Sequence, residues 1–367
     1  MSAETTTPAR DGEPGAGTPA GSHPPGATSS EKTPAGEGGR RTPRDRITEL
    51  FAGSVGRNAG LVIALLALCA IGFLTAGDRF ANLDNVMTIL RLASVIGVVA
   101  VGMTFVITGG GIDLSVGAIV ALATVWATTL STQTMAADLH WMIMVTTALA
   151  VGAGCGLING LLVAYGRMAP FIATLAMLAG ARGLAEMISE KRTQVVTVRG
   201  LVDFFGGRVL GIPVLVIVFA LVAAVGWVLL NRTTFGRRTL AVGGNPEAAR
   251  LAGINVRRHT ALLYVLLGTA CGIAAVMLMA RTTAGTSTHG MLYELDAIAA
   301  VVIGGTLLSG GRGTIVGTVF GVLIFTTLTN VFTLNNLDTS TQAVAKGLII
   351  VVAVLLQQRV AARGGTG

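Results

Sequence analysis

Gly102-Met103-Thr104-Phe105-Val106-Ile107-Thr108-Gly109-Gly110-Gly111-Ile112-Asp113-Leu114-Ser115-Val116-Gly117 sets three glycines and one carboxylate between two long apolar runs. An ionisable side chain at membrane depth costs on the order of 2.5–3.5 kcal/mol on insertion scales. Irregular backbone survives there only where protein buries it or where it lines a watery cavity. The stretch therefore reads as an interrupted span, at a place where something crosses.

The rest of the chain supports a membrane setting. Hydrophobic residues make up 52% and charged residues 12% of the 367 residues, and mean hydropathy is +0.73. A soluble domain carries about 25% charged residues. The 50 glycines are also in excess, as expected where helices must approach closely because lipid supplies no hydrophobic force between them. The formal charge of +8 comes from loops and ends, so it speaks of topology and not of nucleic acid. Cys69, Cys155 and Cys271 each lie in an apolar run, without CxxC spacing, which supports neither a disulfide frame nor a zinc site.

Taking about 17–25 residues per crossing, the pattern predicts an all-α polytopic bundle of about ten spans. They fall near 59–76, 86–108, 112–131, 141–165, 170–188, 213–230, 259–280, 293–308, 313–333 and 341–357, the eighth short and broken by Gly304-Gly305. Residues 1–45, rich in Gly, Pro, Ser and Thr, form a disordered tail on composition; 46–360 is the membrane domain and 361–367 a short C-terminal tail. No secretory signal or twin-arginine leader is read at the start. With the N-terminus inside, fifteen Lys and Arg from Arg40 onward fall on the cytoplasmic side against six outside, which places both termini inside. The loop 189–212 is an exception, with four basic residues outside.

Gly152, Gly156 and Gly160 recur at four-residue spacing, as do Gly313, Gly317 and Gly321, each row making a smooth face for a neighbouring backbone. Packing is one meaning and lining of a route, with Asn159 beside the first row, is the other. Asp113 is read as a helix N-cap whose carboxylate accepts backbone N–H groups, compatible with shaping a polar cavity. Arg182 and Glu186, four apart, are expected to pair, and Arg91 and Lys346 to snorkel toward span ends. In the loop 231–259, Asn245 suits an N-cap, Pro246 the first helical position and Glu247 the positive end, followed by Ala248, Ala249, Arg250 and Leu251. Gly253 is placed to close the helix. A rod of about seven residues is unstable alone in water, and its apolar side is too small to anchor it in lipid. It asks for a protein partner on the cytoplasmic side. No phosphate loop and no Ser/His/Asp, Cys/His or metalloprotease set occurs, so the chain is read as a non-enzyme.

Four separated stretches resemble ribose-type ABC-transporter permeases of the branched-chain amino acid/ribose permease superfamily. They are Val101–Gly117; Asn159-Gly160 through Thr174, with Met168-Ala169-Pro170-Phe171-Ile172-Ala173-Thr174-Leu175; Gly243–Ile254; and Asp296–Gly313. The likeness covers about residues 60–357; the family usually has one glycine fewer before Asp113. The resemblance implies the membrane subunit of a bacterial plasma-membrane importer for a pentose or hexose such as ribose, xylose or galactose. It implies a homodimer that pairs with a cytoplasmic ATPase, often with two nucleotide-binding halves in tandem in one polypeptide, and receives sugar from an extracellular binding protein. ATP and Mg would be held by the ATPase, with no cofactor in this chain. Residues 245–253 would be the coupling helix, and Asp113, Ser115, Asn159, Phe171 and Thr174 are the candidates for the translocation pathway. A nucleoside or signalling-sugar permease is one alternative. An ion-coupled secondary transporter built on the paired breaks at 109–111 and 304–305 is another. A scaffold that transports nothing is disfavoured by the polar residues at membrane depth.

Overall fold

The computed structural model describes residues 54–364. The tail at 1–45, the basic cluster from Arg40 to Arg46 and residues 365–367 lie outside the described residues. Helices follow in the order α1 Ser54–Ala76, α2 Leu83–Thr108, α3 Val116–Ala127, α4 Leu130–Asp138, α5 Met142–Ala164, α6 Pro170–Ser189, α7 Arg199–Gly206, α8 Val214–Arg232, α9 Thr234–Gly244, α10 Pro246–Leu251, α11 Val256–Thr282, α12 Tyr293–Ile303, α13 Ile315–Leu334 and α14 Thr339–Gly364. The protein is thus an all-α polytopic membrane bundle. Seven of these helices are long and apolar enough to cross a membrane, and α3 with α4, bent by 57° at Thr128-Thr129, makes an eighth. α12 covers only 11 residues, too few to span alone at 1.5 Å per residue. The third predicted span starts later and breaks sooner than its hydropathy suggests, because Asp113 and Ser115 are engaged before the helix begins and Thr129 caps a new helix after it.

α2 and α11 form the centre, with 78% and 72% of their apolar windows buried, whereas α1 is peripheral at 11%. α11 lies along α5 over nearly its whole length, and also packs on α2 and α3. The first predicted glycine row forms the α5–α11 seam. A Cβ on Gly156 would overlap the Tyr264 carbonyl oxygen and lie 3.0 Å from Gly268 Cα, and one on Gly160 would lie 2.7 Å from Ala261 O. The second row is divided: Gly317 and Gly321 of α13 abut the Gly304 and Ala300 carbonyls of α12, while Gly313, ahead of the helix, abuts the Thr108 side chain. Close backbone approach is what both rows achieve.

Two small ribbons close the end of the bundle opposite α10. β1 (Gln194–Val195) pairs antiparallel with β4 (Ala284–Gly285), and β2 (Arg208–Val209) with β3 (Ile212–Pro213). Gln133 binds the first ribbon into the bundle, donating to the Thr128 and Val195 carbonyls at 2.9 and 3.0 Å and accepting from Thr197 N–H at 2.8 Å.

Candidate functional site

α2 ends at Thr108 and the chain turns through Gly109–Gly111. Gly110 adopts φ +83°, a left-handed conformation that costs glycine little and a β-carbon residue much. The N–H groups of all three glycines still bond back to carbonyls of the last helical turn, so the break leaves no unmet donors at membrane depth.

Asp113 comes next, and it is buried. Its Oδ1 accepts the Ser115 backbone N–H at 2.7 Å and the Ser115 hydroxyl at 2.5 Å. Its Oδ2 accepts from Asn159 Nδ2 of α5 at 3.1 Å, and the same amide donates to Ser115 Oγ at 2.9 Å. Tyr264 of α11 pins the loop from the other side, its hydroxyl donating to the Ile112 carbonyl at 3.2 Å. The carboxylate does accept a backbone N–H, as read from the sequence, but it does so in a turn ahead of α3 and not as the N-cap, which is Ser115. Asp113, Ser115 and Asn159 thus form one closed polar knot spanning 46 residues of sequence. Asn159 Oδ1 is buried without a partner and is the knot's one open acceptor.

Thr174 and Phe171 stand apart from the knot on α6. Thr174 is buried and donates to Pro170 O of its own helix at 2.9 Å; Phe171 is exposed. Asn159→Ala removes both amide donors while leaving the carboxylate in place. The expected cost is about 2–3 kcal/mol, read as a lower thermal midpoint of the detergent-solubilised protein. An unchanged midpoint would show the knot to be energetically idle.

The second site is the rod α10. Asn245 Oδ1 accepts from Ala248 N at 3.0 Å, and Pro246 occupies the first helical position. At the other end Gly253 (φ +81°) closes the helix. Its N–H bonds Arg250 O and that of Ile254 bonds Ala249 O, both at 3.0 Å, a Schellman pair that satisfies the terminal carbonyls. Only Ala249 is buried; Ala248, Leu251 and Ala252 face outward with the Glu247–Arg250 ion pair of 3.0 Å. A six-residue helix is thereby held at its ends while its surface is left free.

Residues 85–354 match the family described as branched-chain amino acid transport system / permease component. The chain belongs to this permease family. It is 45% identical to a ribose import permease of Bacillus subtilis over 277 residues, covering 75% of this chain and 85% of that protein. It is 38% identical over 301 residues to an L-arabinose ABC transporter permease of Azospirillum brasilense, covering 82% and 87%. It is 36% identical over 306 residues to a fructose import permease of Rhizobium meliloti, covering 81% and 84%. No solved structure matches.

Several polar groups of the permease take partners that local spacing does not indicate. Arg182 does not pair with Glu186; its guanidinium donates to the Ser287 and His289 carbonyls, tying α6 to the link between α11 and α12, while Glu186 lies 3.7 Å from Lys191. His289 in that link faces Thr124 Oγ1 at 3.3 Å, and burial together with Arg281 and Arg182 brings its imidazole down to about 4. Lys346 does not snorkel. It pairs with Asp296 of α12 at 3.2 Å and lies 5.2 Å from the Phe325 ring centroid. Asp296, Tyr264 and Gln133 were not singled out by sequence reasoning. For Asp296 the signal was available: an acid and a lone lysine in separate spans each need a partner.

Proposed function

We propose that this permease is the membrane subunit of an ATP-driven importer for a monosaccharide in the bacterial plasma membrane. It would work by alternating access, driven by a cytoplasmic ATPase that grips α10. One observation carries the reading. The rod is capped at both ends and rests on the bundle through Ala249 alone, yet it presents Leu251, Ala248 and a charge pair to the outside. An exposed six-residue helix is worth stabilising where something docks on it. Relatives that are import permeases for ribose, arabinose and fructose support the cargo class. A neutral sugar needs only a few hydroxyl and amide partners, so a strong charge on the route would hinder release.

The proposed route follows the exposed side of α6, with Phe171 at its edge. Along that helix Gly180 and Gly183 meet nothing within 4 Å, and Ala176 and Ala179 are exposed. Such a row of small residues would suit a cavity shared with a second copy of the chain, to which an extracellular binding protein delivers sugar. Asp113, Ser115, Asn159 and Thr174 are proposed to border this route from buried positions. They would shape the broken span that borders it, with Asn159 Oδ1 the acceptor left for a sugar hydroxyl.

The test is Glu247→Arg combined with Arg250→Glu, which keeps the local pair and inverts the charge shown to a partner. A cytoplasmic ATPase that associates with the wild-type permease is expected to co-purify at one-tenth of the wild-type yield or less, with thermal stability of the permease unchanged. Undiminished association and uptake would overturn the coupling role. Uptake into liposomes by this chain alone, driven by an ion gradient, would favour a secondary transporter instead.

A further inference from the structure

Three sequence stretches far apart in the chain meet backbone to backbone at the end of the bundle that carries α10. The stretches are the break after α2, the end of α9, and the loop between α12 and α13. Thr108 O accepts the Gly311 N–H at 2.9 Å. A Cβ on Gly243 would overlap that same Thr108 oxygen and lie 2.7 Å from Gly311 N. One on Gly310 would lie 2.9 Å from Gly110 Cα and 2.7 Å from Gly243 O, and one on Gly311 would lie 2.9 Å from Gly244 Cα. Gly243 and Gly244 immediately precede Asn245, the cap of α10.

We infer that Gly243 is the joint through which displacement of α10 reaches both broken spans together, the one opening at Gly109–Gly111 and the one ending at Gly304-Gly305. The inference rests on the ATPase-driven reading above. Its physical ground is that contacts without side chains have no rotamers to absorb motion. A shift of α9 by about 1 Å must therefore be passed to Thr108 and Gly311 or break their contact. Thr108 is buried and its hydroxyl has no hydrogen-bond partner, so that side chain does not hold the joint in a single arrangement.

The experiment compares Gly243→Ala with Gly244→Ala. Both gain the same helix propensity, but a Cβ on Gly244 meets only Gly311 Cα at 3.9 Å. In the purified permease without its ATPase, Gly243→Ala should speed amide exchange of Gly311 and of the loop 109–112 at least tenfold, while Gly244→Ala leaves both near wild type. In the complex, Gly243→Ala should retain the ATPase and its hydrolysis yet lose at least tenfold in sugar uptake. Equal protection and equal uptake in the two variants would overturn the joint. Should wild-type permease fail to hold any ATPase, the functional reading falls, while the exchange experiment still decides the joint.

If Gly243→Ala does not fold, Gly313→Ala probes the same place, since its Cβ would overlap Thr108 Oγ1. Thr108→Ala added to it should restore protection, and a double variant no better than the single one would count against the joint.

Discussion

Gly156→Val is expected to leave almost no folded permease in the membrane, whereas Gly154→Ala on the same helix should be nearly silent. The first substitution drives a branched side chain into the Tyr264 carbonyl and the Gly268 backbone of α11. Neither can yield without separating the two longest-paired helices of the bundle. Overpacking a close-packed site costs about 1–3 kcal/mol, occasionally more. Here the high end applies, because parting the α5–α11 seam forfeits dispersion contacts along its whole length, and lipid returns no hydrophobic gain. A loss of about 3 kcal/mol or more is a large fraction of the 5–15 kcal/mol that typically holds a domain folded. Gly154 has nothing within 4 Å, so alanine there should change stability by no more than about 0.5 kcal/mol. The measurement is the yield of monodisperse protein by size exclusion together with its thermal midpoint. Equal behaviour of the two variants would deny the seam its role.

The second large effect is expected at the Asp296–Lys346 pair. It joins α12, too short to span alone, to α14, and both side chains are about four-fifths buried. Removing one partner strands a charge in a low-dielectric site, a loss of about 3–5 kcal/mol. Asp296→Leu and Lys346→Met should each lower the unfolding midpoint sharply. The double variant should recover most of the loss, since a buried ion pair is often replaceable by apolar residues at little net cost. A double-mutant cycle reads the coupling. If the two single effects simply add, the pair does not hold α12 against α14.

Much of this architecture was legible from local pattern. The spans follow from runs of apolar residues, because a bilayer imposes a length on any helix that crosses it. The rod at 245–253 could be read residue by residue, because caps are local hydrogen bonds: Asn245 to Ala248 and Gly253 to Arg250 are each three residues apart. The break at Gly109–Gly111 was equally plain, since a carboxylate and three glycines are incompatible with an uninterrupted lipid-facing helix.

What the pattern misjudged were choices among partners. Arg182 has an acid four residues away and instead binds carbonyls more than a hundred residues on. Lys346 could have reached toward a span end and instead found Asp296. In both cases i,i+4 spacing and snorkelling are weak preferences, a few tenths of a kcal/mol for a helix-surface pair, and are overridden where burial penalises an unmet polar group. The glycine rows show the same division. Their spacing declares a smooth face, but only the folded chain shows that 152, 156 and 160 face α11 while 313 faces Thr108.

By itself, then, the sequence determined that this protein is a membrane bundle with two interrupted spans and a capped rod in a polar loop. Each of those properties is set by residues within about twenty positions of one another. The tertiary structure alone decided that Asp113, Ser115 and Asn159 share one buried knot, and that Gly110, Gly243 and Gly311 touch. These contacts close loops of tens to hundreds of residues, and the energy that selects them comes from burial and packing, which carry no signature in local spacing.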